Sequence, residues 1–176
     1  GTGASLEGLP SLVEHALDQE GPAAESAAAH AGIDYCAVLG RGFNQATAFE
    51  WALKLQELTQ VVAQPFSTAD FLHGPIAVLE PGYPVLAVAA RGPAIEDVID
   101  VLRRCKDAGA PLVVIGNDAR LAELDSGNLE FDPEVDEWLS PIPAAVLGQL
   151  FAYHLTLAKG LDPEQPRGLH KVTRTT

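Results

Sequence analysis

Moving a proton on and off carbon takes a carboxylate to accept it and a cation to steady the charge that develops nearby. Glu50, Lys54 and Glu57 supply that combination. Spacings of four and then three residues place them on one helix face, with Thr47 continuing the stripe. One reading is a solvent-facing ion-pair ladder worth about 0.3–0.5 kcal/mol per pair. The other is a carboxylate–ammonium–carboxylate row along a cleft, where partial burial tunes a glutamate toward general-base duty. His73, in Phe71-Leu72-His73-Gly74-Pro75, is the second candidate. It either caps the last carbonyls of a short helix or stands on a corner that the Gly-Pro stop projects. The third is the C-terminal tail. Residues 159–176 hold Lys159, Arg167, Lys171 and Arg174 against Asp162 and Glu164, a net +2 that leaves −15 on the preceding 158 residues. Such a tail is either a solubilising extension or a segment that folds back to bring a cation to an anionic ligand.

Other groups read as structural. Gly40-Arg41-Gly42 lies between a predicted strand and a predicted helix, where phosphates often bind. It lacks the G-x-G-x-x-G spacing and an acidic partner about 20 residues on, so it reads as a tight turn. His154 reads as a satisfied core histidine, and His15 and His30 as surface residues. No H-x-x-x-H or Cys/His spacing points to a metal, and no cofactor is called for.

These groups need a scaffold. Apolar spacing predicts helices over Leu9–Asp18, Pro22–Ala31, Gln45–Val61, Ala94–Asp107 and Pro141–Lys159, with a short one over Ala69–His73. Continuous apolar runs predict buried strands at Tyr35–Leu39, Val85–Ala89 and Leu112–Ile115, and a weaker one at Leu129–Phe131. Gln64–Ser67 reads as a loop. The helix around Trp51 is apolar on most sides and reads as largely buried. Strands without in–out alternation, separated by helices, indicate a parallel sheet covered on both faces, an α/β three-layer α-β-α sandwich.

Composition narrows the function classes. The chain has 176 residues, with 24 Asp and Glu against 11 Lys and Arg, for a net charge of −13. That balance argues against nucleic-acid and anionic-membrane partners. Cys36 and Cys105 read as reduced, buried thiols in a reducing compartment. The apolar stretch Ile142–Ala158 is interrupted by Gly148, Gln149, His154 and Thr156, and reads as a buried helix. With no signal peptide visible, a soluble, cytoplasmic protein is expected. The start Gly-Thr-Gly-Ala-Ser, in a chain without methionine, suggests a piece of a longer protein.

Taken in order, Leu39-Gly40-Arg41-Gly42, Glu50-x3-Lys54-x2-Glu57, His73-Gly74-Pro75 and Asp162-x2-Gln165-Pro166-Arg167-x-Leu169-x-Lys171-Val172-Thr173 resemble the sugar isomerase (SIS) family. The likeness is to the second SIS domain of the glucosamine-6-phosphate synthase and deaminase group. It implies a five-stranded parallel sheet, a tandem pair of such domains, and a homodimer. It also implies residues 1–8 as a linker or cleavage remnant, 9–160 as the SIS domain and 161–176 as an active-site tail. By correspondence, Glu57 moves a proton between the first two carbons of a sugar phosphate, with Glu50 and Lys54 in support. His73 assists ring opening, typically in the neighbouring subunit's site, and Lys171 reaches the sugar carbonyl, through a Schiff base in the synthases. The expected activity is that of the C-terminal half of an amino-sugar-phosphate isomerase or deaminase. Alternatives are the isomerase domain of a glutamine–fructose-6-phosphate aminotransferase, a non-catalytic sugar-phosphate sensor and a structural dimerisation domain.

Three departures accompany the likeness. The family's S-x-S-G-x-T phosphate loop is absent: Ala89-Ala90-Arg91-Gly92-Pro93 follows the second predicted strand. In the family that loop belongs to a first SIS domain, missing here, so the isolated chain is expected to be inactive. Trp51 stands where a small residue is usual and is expected to narrow the cleft. The glutaminase domain is also missing, and the ending Lys171-Val172-Thr173-Arg174-Thr175 looks nearer to the stand-alone deaminases and isomerases.

Overall fold

Branched and small apolar side chains give the chain its strands, and the central strands at Tyr35–Gly40 and Val85–Ala89 are each followed by an α-helix that covers the sheet. A computed structural model describes residues 6–124 and 128–168. The elements run α1 (Leu9–Leu17), α2 (Glu20–Ala29), β1 (Tyr35–Gly40), α3 (Asn44–Thr59), β2 (Val62–Ser67) and α4 (Thr68–Leu72). They continue through β3 (Val85–Ala89), α5 (Ile95–Asp107), β4 (Leu112–Gly116), β5 (Leu129–Glu130) and α6 (Pro141–Ala158). All strand pairings are parallel, in the order β2-β1-β3-β4-β5. The register sets Ala37 opposite Val85 and Val85 opposite Leu112.

Two cores flank the sheet. Cys36 and Val38 of β1 pack with residues of α1, α2, α3 and α6, while Ala37 and Leu39 pack with α4 and α5. This alternation along one strand follows from its period of two. The path steps outward from β1 to β2 through α3, then back across to β3 and onward through α5. Strand order therefore reverses between β1 and β3, the arrangement of a doubly wound sheet. The three-layer expectation is met.

One strand went unread. Gln64–Ser67, expected as a loop, is part of β2. Pro65 withholds a ladder donor and is compatible only with an edge position, which β2 has. Further expectations are corrected by packing. Phe49 and Leu53 are about half exposed, so α3 is buried on one side only. Trp51 points into the core rather than narrowing a cleft. His154 is half-buried, with Nε2 3.5 Å from Glu20 Oε1 and no hydrogen bond to it, so it is not satisfied. His30 is half-buried, with Nδ1 2.8 Å from the Ser26 carbonyl, while His15 is exposed as expected. Lys159 is structural: its ammonium donates to the carbonyls of Ile33 (2.6 Å) and Ala31 (3.2 Å). Both cysteines are free and buried, and burial pushes their thiols up, Cys36 to about 12 and Cys105 to about 11.

Helix α6 is long and apolar enough to cross a membrane, yet it carries buried Leu147, Phe151, Ala152 and Leu155 in the core shared with α1, α2 and α3. Trp51 packs against it at Gly148. A Cβ at Gly148 would stand 3.0 Å from the indole Cγ, and Phe151 meets the same ring edge-on at 5.5 Å between centroids. Overfilling a packed core costs about 1–3 kcal/mol. Gly148→Val is accordingly expected to lower stability by about that amount, read as a shift in the urea midpoint. An unchanged midpoint would show that α3 and α6 have slack between them.

Candidate functional site

Helix α3 leaves β1 almost at once, because Gly40 has no side chain: a Cβ there would collide with the Asn44 carbonyl. The helix buries Ala48, Trp51, Ala52 and Leu55, which turns Glu50, Lys54 and Glu57 outward. The expected row forms. Lys54 Nζ donates to Glu57 Oε2 at 2.6 Å and stands 4.0 Å from Glu50 Oε1. All three side chains are about one-third exposed. Thr47 does not continue the exposed stripe; it is buried and donates to Asn44 Oδ1 at 3.0 Å. Glu50 accepts a long contact from Gln149 Nε2 of α6, at 3.4 Å. Glu50 also borders a shallow apolar groove with Phe49, Leu53 and Pro65.

The Glu57 hydrogen bond holds Lys54 above its ordinary pKa, with partial burial opposing and the Glu57 and Glu50 charges assisting. The sign follows. A lysine raised on folding contributes stability that is present below its unfolded value, near 10.4, and lost as pH rises through the folded value. Exposure and screening keep the pair's worth at or below about 1 kcal/mol.

His73 lies elsewhere. Ser67 caps α4 by accepting the Asp70 N–H at 3.0 Å, and Gly74, at φ +152°, turns the chain sharply after His73. The imidazole is exposed, so the projecting-corner reading holds; the backbone N–H of His73 bonds the Asp70 carbonyl at 3.0 Å. It borders a cleft of about 320 Å³ with Arg41, Thr68, Asp97 and Arg104. That cleft belongs to the α4–α5 side, whereas the glutamate row belongs to the α3–α6 side. Within one chain the two candidates do not meet. Lys171 lies outside the described residues. The tail leaves α6 at Gly160 and turns at once, with Asp162 Oδ1 accepting the Glu164 N–H at 2.9 Å.

The fold is that of known proteins. Residues 35–159 match the SIS domain model. The chain belongs to the SIS family. It is 34% identical over 168 residues to the glutamine–fructose-6-phosphate aminotransferase (isomerizing) of Methanothermobacter thermautotrophicus, covering 94% of this chain and 28% of that protein. This SIS chain thus spans little more than a quarter of that relative's length. Its fold matches the C-terminal domain of glucosamine-fructose-6-phosphate aminotransferase from Francisella tularensis, with a TM-score of 0.82 at 24% identity, over 90% of this chain and 45% of that one. It also matches the glucosamine-6-phosphate deaminase of Thermotoga maritima, with a TM-score of 0.73 at 22% identity, over 96% of this chain and 50% of that one.

Two residues that sequence reasoning passed over belong to these surroundings. Gln149, read only as an interruption of a buried apolar helix, reaches Glu50, and Glu137 lies against Gly42 and Gly92 beyond the ends of β1 and β3. No spacing pattern marks either. Glu57→Gln is expected to bring Lys54 down toward its ordinary pKa in a titration of the ammonium by NMR. An unmoved Lys54 would assign the shift to Glu50 instead.

Proposed function

We propose that this SIS domain supplies half of a site that isomerises an amino-sugar or hexose 6-phosphate, as part of a longer protein. The supporting observation is the 2.6 Å Lys54–Glu57 contact, flanked by Glu50 and carried on an SIS fold. In this reading Glu57 takes the proton from sugar carbon 2 of the open-chain aldose. The C–H electrons form the carbon 1–carbon 2 double bond as the carbonyl π pair moves onto oxygen 1, giving an enediolate. The oxygen 2 hydroxyl then passes its proton to oxygen 1, and Glu57 returns its proton to carbon 1 to give the ketose. Lys54 holds Glu57 in place, and Glu50 helps keep that ammonium charged. Lys171 supplies the cation at the carbonyl, and His73 of a second copy assists ring opening.

The placement of His73 at the cleft beside α5, with α4 in the core opposite that of α3, favours this two-copy arrangement. The groove lined by Ala46, Phe49, Leu53 and Pro65 beside Glu50 is an apolar surface that a further unit could cover on α3. A first SIS domain in tandem and a homodimer both meet that need, in a soluble, cytoplasmic setting. The aminotransferase relative makes fructose 6-phosphate the first substrate to test, with glucosamine 6-phosphate beside it.

In the complete protein, Glu57→Gln is expected to lower turnover of both sugars by about 10²–10⁴-fold, the usual worth of a general base. Turnover that survives the substitution removes Glu57 from the mechanism.

A further inference from the structure

Doubly wound sheets bind ligands in the crevice where strand order reverses, beyond the carboxyl ends of the two strands at the switch point. Here those strands are β1 and β3, and the turns that follow them carry Gly42 and Gly92. The crevice already contains an anion. A Cβ on Gly42 would stand 2.9 Å from Glu137 Oε1, and one on Gly92 would stand 2.7 Å from Glu137 Oε2. The carboxylate fits between the turns because neither residue has a side chain.

Its placement is enforced by buried polar groups. Ser140 donates its hydroxyl to the Glu137 carbonyl at 2.6 Å, and its N–H to the same oxygen at 3.2 Å. Ser140 Oγ in turn accepts from Asn44 Nδ2 at 2.7 Å, and Asn44 Oδ1 accepts from Thr47 at 3.0 Å. Ser140, Asn44 and Thr47 are all buried. The backbone that carries Glu137 is thereby tied to the first turn of α3. On the other side, the Arg91 N–H bonds Asn117 Oδ1 at 2.7 Å, and Asn117 Nδ2 bonds the Asp132 carbonyl at 3.1 Å. Arg91 Nη1 reaches the Pro133 carbonyl at 3.1 Å. Residues 132–140 therefore bridge both turns.

Charge agrees with geometry. Helix α3 begins without a side-chain cap and has no acid in its first turn. A carboxylate brought from another element supplies the negative charge that a helix start favours.

We propose that Glu137 is a built-in anion that occupies the switch-point crevice of this domain and keeps the phosphate of a sugar phosphate out of it. The substrate's phosphate is then held by another unit, while this one contributes the row on α3. The inference deepens the reading above and rests on it only for the identity of the excluded anion.

Titrating the full chain with inorganic phosphate, and separately with fructose 6-phosphate, tests this without turnover. The amide resonances of Gly42, Phe43 and Gly92 are followed by NMR. The parent chain is expected to show no saturable shift there, and Glu137→Ala is expected to gain one with inorganic phosphate. Glu137→Gln keeps the shape and loses the charge; it is expected to gain a weaker response, and decides the matter if the alanine chain does not fold. Saturable phosphate shifts in the parent chain, or none in either folded variant, overturn the proposal. Because Glu57→Gln reads turnover and this titration reads binding at different residues, either reading can fail while the other stands.

Discussion

Trp51 packs so closely over Gly148 that a methyl group there would stand only 3.0 Å from the indole, and that contact sets how α3 lies on α6. Dense packing transmits such a constraint, because a close-packed interior has few voids to absorb a shift. On the inner side of α3, Ala48, Ala52 and Leu55 follow Trp51 into the core. On the outer side, Glu50, Lys54 and Glu57 are carried to positions they do not choose for themselves. The ion-pair row is too exposed to organise the helix; the indole ring and the small residue beneath it do that.

A second constraint acts at the start of the same helix. The hydrogen bond from Asn44 to Ser140 joins the first turn of α3 to the segment that leads into α6. Being buried, it is costly to break and so specifies one arrangement of that segment. Packing sets the rotation of α3, and the polar chain from Thr47 through Asn44 to Ser140 sets what covers its beginning.

The sequence made some features legible and hid others. Glu50, Lys54 and Glu57 were readable because helical spacing alone puts them on one face. The three inner strands were readable because their runs are apolar without interruption. Strand β2 was not, since Val-Ala-Gln-Pro-Phe-Ser mixes polar residues with a proline, and only its place at the sheet edge makes that tolerable. The inward turn of Trp51 depends on a glycine 97 positions away, which periodicity within one helix does not reveal. Thr47 shares an angular sector with Glu50 but is buried, held by Asn44, which itself bonds Ser140. Glu137 comes from an irregular acidic segment that offers no motif, so its approach to Gly42 and Gly92 is a product of tertiary structure alone.

The two borders of the sheet carry a consequence for anything built from this domain. One border is β2, with Pro65 in the strand and Val62 70% exposed; the other is β5, only two residues long. A strand missing a donor and a strand too short to template are both poor starting points for pairing with a foreign chain. Among the described residues the sheet has five strands. Both edges leave side-chain shape on the helical faces, rather than backbone ladders, to decide what would fit against this domain.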